Sequence, residues 1–314
     1  MSRHYLQFIY YRRSTIMKNS SLILFSVILL LLLNGCTNDT INDNRVPVTQ
    51  NQNQSVDKTP APTTTTTAPA NGPDNSANAA TAGAASTKAS TLSWYFVRND
   101  QHQYPDTNVD YKEMLTQNQA IYIIPNESKR IYLTFDCGYE LGYTGQILDT
   151  LANRNIKAAF FITGQYIKTQ PDLVKRMQAE GHLVCNHSYN HPDFSTISQS
   201  KLQEEITSLE DGYRNITGLE MDKYLRPPMG NFNANSLKWT KELGYTTVFW
   251  SMAWKDWDPQ QQPGADYVYQ HVIDNIHPGA VILMHAVSQS DTEALDRVIA
   301  ELQAEGYVFS TFGS

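Results

Sequence analysis

Ile131-Tyr132-Leu133-Thr134-Phe135-Asp136-Cys137-Gly138-Tyr139-Glu140-Leu141-Gly142-Tyr143-Thr144 is the stretch that decides the fold. Ile131–Phe135 is a short, nearly continuous apolar run, the pattern of a strand buried on both faces. A polar stretch with two glycines follows. Ile147, Leu148 and Leu151 then share one face of a helix that starts after Tyr143. Strand, polar turn and amphipathic helix make the repeating unit of a parallel sheet.

The unit recurs along the chain. Ala159–Ile162, Leu183–Asn186, Thr246–Trp250, Ala280–Met284 and Tyr307–Phe309 read as strands, with Lys223–Leu225 a weaker seventh. Leu202, Ile206 and Leu209 mark a helix capped at Ser198. Glu180-Gly181-His182, Leu243-Gly244-Tyr245 and Glu305-Gly306-Tyr307 are alike: a glycine in the left-handed conformation ends a helix before the next strand. Alternation over about 220 residues implies an α/β fold with a parallel sheet, open or closed. About seven strands and no glycine-rich phosphate loop favour a (β/α) barrel over a dinucleotide fold.

Polar groups cluster just after these strands. Asp136, the pair His187 and His191, Arg226, the pair Asp256-Trp257, and His285 follow five separate strands. In an α/β barrel those strand ends share one face, where sites are built. Each group alone has a plain reading. An Asp after a strand is often a helix cap, and two histidines four apart are common. Arg226-Pro227-Pro228-Met229-Gly230 could be a rigid turn, Asp256-Trp257 a loop contact, and His285 a structural histidine. Their order along a barrel is what points to chemistry.

That order resembles the polysaccharide deacetylase (NodB-homology) family of carbohydrate esterases. The resemblance spans about Lys129 to Phe312. Thr134-Phe135-Asp136-Cys137-Gly138 is similar to the first family motif, His187-Ser-x-x-His191 to the second and Arg226-Pro-Pro-x-Gly230 to the third. Asp256-Trp257 resembles the end of the fourth, and Leu283-x-His285 the fifth. The continuation Gly138-Tyr139-Glu140-Leu141-Gly142-Tyr143-Thr144 resembles the delta-lactam-biosynthetic de-N-acetylases of spore-forming bacteria. The resemblance implies a distorted (β/α) barrel and metal-dependent N-deacetylation of peptidoglycan N-acetylmuramic acid, on the way to the muramic δ-lactam of spore cortex. It implies His187 and His191 as metal ligands, Asp136 as general base, and His285 as general acid oriented by Asp256. Arg226 would hold Asp136, and the backbone N–H of Met229 would serve as an oxyanion donor. Trp257, with Tyr139 and in second place Trp254, would meet the sugar.

Two positions depart from the family pattern. Ala253 stands where most members carry an Asp. Cys137 stands at the second, metal-binding Asp of the first motif, and three readings stay open for it: a thiolate ligand, which would favour zinc; a bystander; or a disulfide partner of Cys185, whose side chain points the same way as that of His187 two residues on. The five motifs do not separate muramic acid deacetylation from action on N-acetylglucosamine or chitooligosaccharide, or from O-acetyl ester hydrolysis. An inactive wall-binding lipoprotein is the alternative of another class.

The first ninety of the 314 residues differ from the rest. Leu22–Leu33 is apolar but for Ser26, too short to span a bilayer comfortably, and preceded by Lys18. Leu33-Asn34-Gly35-Cys36 resembles a lipobox, which implies a signal peptide over 1–36 and a lipid on Cys36. Met17-Lys18-Asn19 makes the more compact start, so translation is expected to begin at Met17. Residues 37–91 are rich in Thr, Asn, Ala and Pro and read as a disordered tether to a domain at 92–314. These features imply an extracytoplasmic, membrane-anchored protein that faces cell-wall glycan and acts as a monomer. A net charge of −7 with no basic stripe argues against a nucleic-acid partner. For Trp94–Asn126, covering the barrel's bottom and extending the substrate groove both stay open.

Overall fold

The computed structural model describes residues 90–99 and 101–314. The expected signal peptide, lipobox and nearly all of the tether lie outside the described residues. In chain order the elements are β1 (Leu92–Ser93), α1 (Val109–Gln117), β2 (Arg130–Cys137), α2 (Thr144–Asn153), β3 (Ala159–Ile162), α3 (Gly164–Thr169) and α4 (Pro171–Ala179). They continue as β4 (Leu183–Asn186), α5 (Gln199–Thr217), β5 (Asp222–Leu225), β6 (Asn231–Phe232), α6 (Ala234–Glu242) and β7 (Thr246–Thr247). The chain ends with α7 (Ala265–Asn275), β8 (Val281–His285), α8 (Gln289–Ala304) and β9 (Val308–Phe309).

Seven parallel strands form one sheet in the order β7-β5-β4-β3-β2-β8, with β9 paired to the start of β2. The sheet curls. Past β7 the chain reaches β8 at the far edge, where Met252 bridges Ile282 and the Leu283 N–H donates to the Met252 carbonyl at 2.9 Å. Single bridges in place of a ladder make this the distorted barrel expected from the motif order. The expected strand Thr246–Trp250 shortens to two residues because it changes partner. Val248 N–H donates to Leu225 O, while Phe249 N–H donates to Ile121 O.

Ile121 also accepts a place beside Val248, and Ile123 bridges Ala280, so this segment fills the gap between the two edges. Upstream of it, Leu92–Ser93 pairs with Asn231–Phe232, and the Trp94 indole stacks on Phe249 at 4.7 Å between ring centroids. The Trp94 N–H donates to Gly230 O. The segment before the motifs therefore closes the sheet and braces the turn after Arg226.

The helices carry the signals read from the sequence. Ser198 Oγ accepts from Lys201 N at the start of α5, and Gly181, Gly244 and Gly306 all have positive φ at helix ends. In β2 the side chains alternate. Ile131, Leu133, Phe135 and Cys137 pack outward against Ile147, Leu148 and Leu151 of α2 and Leu295 and Ile299 of α8. Tyr132 points into the barrel, among Phe161, Cys185, Val281 and Phe312. Thr134 and Asp136, on the same inward face, end that layer at the C-terminal rim.

Candidate active site

Asp136 is the inward side chain at the rim end of β2, and in the register of the sheet it stands directly opposite His285 of β8. Arg226, at the end of β5, crosses the barrel to meet it. Its Nη1 donates to Asp136 Oδ1 at 2.6 Å, its Nη2 to Thr134 Oγ1 at 2.9 Å, and its guanidinium lies 4.2 Å over the Phe161 ring. The Arg226 side chain is fully buried. Burial alone would push the Asp136 carboxyl up. The charge of Arg226, with help from His187 and His285, outweighs it and holds the carboxyl below its ordinary value. Asp136 is thus an ionised base at neutral pH.

His187 follows β4. Its Nδ1 lies 2.8 Å from the Arg226 carbonyl, which accepts only if Nδ1 carries the proton. Nε2 is then the lone-pair nitrogen, and it lies 3.5 Å from Asp136 Oδ2. The His191 ring sits 4.8 Å away, inclined at 75°. Burial pulls His187 down to about 4 and lowers His191 as well, so both rings are neutral. The loop between them is strained: Ser188 and His191 have φ of 65° and 58°. It is clamped from both sides. Gly164 N–H donates to the Ser188 and Tyr189 carbonyls, and Glu205 of α5 accepts from Asn190 N and Nδ2 at 2.6 and 2.9 Å.

On the opposite wall, Asp256 accepts from the His285 backbone N–H and bonds His285 Nδ1, both at 2.7 Å. Burial would lower His285, but the carboxylate of Asp256 raises it above an ordinary imidazole. Behind Asp256 stands Asp291 of α8, whose Oδ1 accepts from the Trp254 indole at 2.9 Å. Burial and the neighbouring Asp256 carboxylate push the Asp291 carboxyl well up.

These groups open onto a cavity of about 1010 Å³. Tyr139, Met229, Trp254 and Trp257 line it, and Trp257 is 55% exposed. Met229 adopts φ 58°, ψ 6° within the 3₁₀ turn Pro228–Gly230. Trp254 does two things at once: it packs in the core and its indole anchors Asp291. Glu140 of the Gly138–Thr144 stretch accepts from Gly142 N, Thr144 N and Tyr166 Oη. That motif is first a device for starting α2.

Cys137 does not join the site. The strand runs on through Cys137, and alternation that turns Asp136 inward turns Cys137 outward into the apolar layer under the helices. It is absent from the cavity wall, and burial pushes its thiol well up, away from thiolate. The expected Cys137 ligand is corrected to a bystander. Cys137 and Cys185 are both free, and they belong to opposite faces of the sheet, which rules out the disulfide.

Among the described residues no group of three His, Cys, Asp or Glu stands as a ready metal cluster. The donors still fit an ion. Two neutral imidazoles, one with its tautomer fixed by a carbonyl, face an open cavity beside an ionised carboxylate, a set suited to a divalent metal with free positions for water.

Residues 124–248 match the family model described as polysaccharide deacetylase. The peptidoglycan-N-acetylmuramic acid deacetylase PdaA of Bacillus subtilis is 44% identical over 220 residues, covering 70% of this chain and 84% of that protein. The chain belongs to the polysaccharide deacetylase family. A peptidoglycan-N-acetylglucosamine deacetylase of Bacillus cereus is 35% identical over 194 residues, covering 60% of this chain and 69% of that one. The solved structure of B. subtilis PdaA, a family 4 carbohydrate esterase, superposes with a TM-score of 0.69 over 70% of this chain and 94% of its own. Polysaccharide deacetylases are in general metal-dependent, in keeping with the donor set above. Within this deacetylase fold, Glu205 and Asp291 were missed by sequence reasoning. The signal was available: each is an acidic residue set in the buried stripe of its helix, with Leu202, Ile206 and Leu209 in one case and Ala294, Leu295 and Val298 in the other.

Proposed function

We propose that this polysaccharide deacetylase removes the N-acetyl group from N-acetylmuramic acid residues of peptidoglycan, on the route to the spore-cortex δ-lactam. The observation that carries the reaction is the pairing of Asp136 with His285 across β2 and β8. Arg226 holds the first ionised, and Asp256 raises the proton affinity of the second. Similarity to a muramic acid deacetylase supports the choice of sugar.

His187 and His191 would hold the divalent metal, for which we propose zinc on the preference of imidazole ligands. When bound, the ion supplies Lewis acidity toward the acetyl carbonyl and toward water. Asp136 takes a proton from the attacking water, whose oxygen forms the new C–O bond to the acetyl carbon. Arg226 keeps the carboxylate aimed and ionised until that moment. The Met229 backbone N–H would donate to the developing oxyanion. His285 gives its proton to the sugar nitrogen as the C–N bond breaks, so acetate and a free amine leave. Trp257 and Tyr139 offer ring faces to the glycan.

A monomer is the working unit proposed here. We also propose an extracytoplasmic lipoprotein anchored through Cys36. Labelling with a fatty acid that persists in Cys36→Ala would end that proposal.

The test is incubation of the zinc-loaded protein with peptide-stripped peptidoglycan glycan and, separately, with chitooligosaccharide, with acetyl loss read by mass spectrometry. Loss from muramic acid residues is expected. Loss only from glucosamine residues would replace the substrate, and loss from neither would favour an inactive wall-binding protein.

A further inference from the structure

Among the described residues, the cavity wall carries one cationic side chain that the reaction does not use. Lys168, near the end of α3, lines the cavity beside Gln165, Tyr189 and Asn190. Its Nζ sits 4.6 Å from the centroid of the Tyr189 ring, a cation–π contact that holds the ammonium near the wall. Arg226, the other strong cation at the site, is fully buried and committed to Asp136 and Thr134. A free positive charge therefore faces the substrate from the α3 side of the cavity.

Its position relative to the chemistry is informative. Tyr189 lies between His187 and His191 in the chain, so Lys168 stands over the loop that carries both imidazoles. In an amino sugar the reacting acetamido group is on C2. Muramic acid differs from glucosamine only in the lactyl ether on C3, the adjacent carbon. Once the stem peptide is removed, that ether ends in a free carboxylate. A group that reads it must reach the same cavity as the acetamido site, and Lys168 lines that cavity with His187, His191 and His285. N-acetylglucosamine has no charge there and would leave the ammonium unpaired.

We propose that Lys168 binds the lactyl carboxylate of N-acetylmuramic acid and so sets the preference for muramic acid over N-acetylglucosamine. Gln165, one turn earlier on α3, supplies a second donor on the same wall. This rests on the muramic acid reading above.

The test couples a change in the protein to a change in the substrate. KM and kcat are measured for the zinc-loaded wild type and Lys168→Met on peptide-stripped glycan with lactyl carboxylates free or methyl-esterified. In the wild type, esterification is expected to raise KM about tenfold, equivalent to about 1.4 kcal/mol. In Lys168→Met, KM for the free acid rises by a similar factor and the acid–ester difference collapses. Lys168→Arg, which keeps the charge, recovers part of it. An unchanged wild-type KM on esterification, or an acid–ester difference that survives in Lys168→Met, overturns the proposal. If the wild type releases no acetate from muramic acid residues in either form, the muramic acid reading itself falls and this inference falls with it.

Discussion

At the scale of the residue, the site shifts the proton affinities of two facing side chains in opposite directions. Asp136 and His285 face each other across one strand pair, yet each has its own partner: a guanidinium for the proposed base, a carboxylate for the proposed acid. Asp256 does double duty, since it fixes the ring through Nδ1 and the strand end through the His285 backbone N–H. Removing its charge while keeping its shape isolates the electrostatic part. Asp256→Asn should lower the His285 pKa and move the alkaline limb of kcat/KM to lower pH, with kcat reduced roughly 10–100-fold. The sign follows from the role: the acid must carry its proton, and without the carboxylate it loses it at lower pH. A pH–rate profile that keeps its alkaline limb in the variant would remove Asp256 from the tuning of His285.

At the scale of the element, the site depends on how tightly the His187–His191 loop is pinned to α3. A Cβ on Gly164 would lie 2.5 Å from the Tyr189 carbonyl oxygen and 2.6 Å from its Cγ, so backbone must move. Gly164→Ala should therefore leave the fold but weaken metal binding about 10–100-fold, the range found when groups supporting metal ligands are disturbed. Zinc titration calorimetry checks this, and an unchanged affinity would show that the loop sets its own geometry. The strands were legible because parallel strands buried on both faces appear as unbroken apolar runs. The helix ends were legible because glycine and serine have mechanical reasons to be there. Where β2 stops was not legible. Asp136-Cys137-Gly138 looks like the polar turn after a strand, and only the ladder to Ile162 shows that pairing continues through Cys137. That one extra residue of strand decides which way the cysteine points. For Asp291 a second, plainer role stood in front of the signal from its buried stripe. Ser288-x-x-Asp291 reads as an ordinary helix cap, and Ser288 does accept from Asp291 N, while the Asp291 carboxyl accepts from the Trp254 indole and neighbours Asp256.

At the scale of the molecule, the barrel is assembled around polar groups that tolerate only one protonation state, and this makes its stability depend on pH. His182, at the start of β4 and away from the cavity, is the clearest case. Its side chain is fully buried, its Nδ1 accepts from Ala158 N at 3.1 Å, and its ring meets Phe160 edge-on. Burial, with Lys157 nearby, pulls it down to about 4. The unfolded chain binds a proton at the ordinary value near 6.5. Stability from this group is therefore complete above about pH 6.5 and declines as pH falls toward about 4, by a total on the order of 2–3 kcal/mol. For a domain of this size that corresponds to several degrees in Tm, at roughly 2–4 °C per kcal/mol. His271 and His277 shift in the same direction and contribute in the same window, so acid sensitivity is shared. His182→Asn keeps an acceptor close to the Nδ1 position and removes the titration. Its Tm should start lower at pH 7.5 than the wild type's but fall less steeply between pH 6.5 and 4.5. Parallel Tm curves for the two proteins would mean that His182 takes up its proton in the folded state without cost, and the acid sensitivity would then belong to the rim of the barrel and not to its buried base.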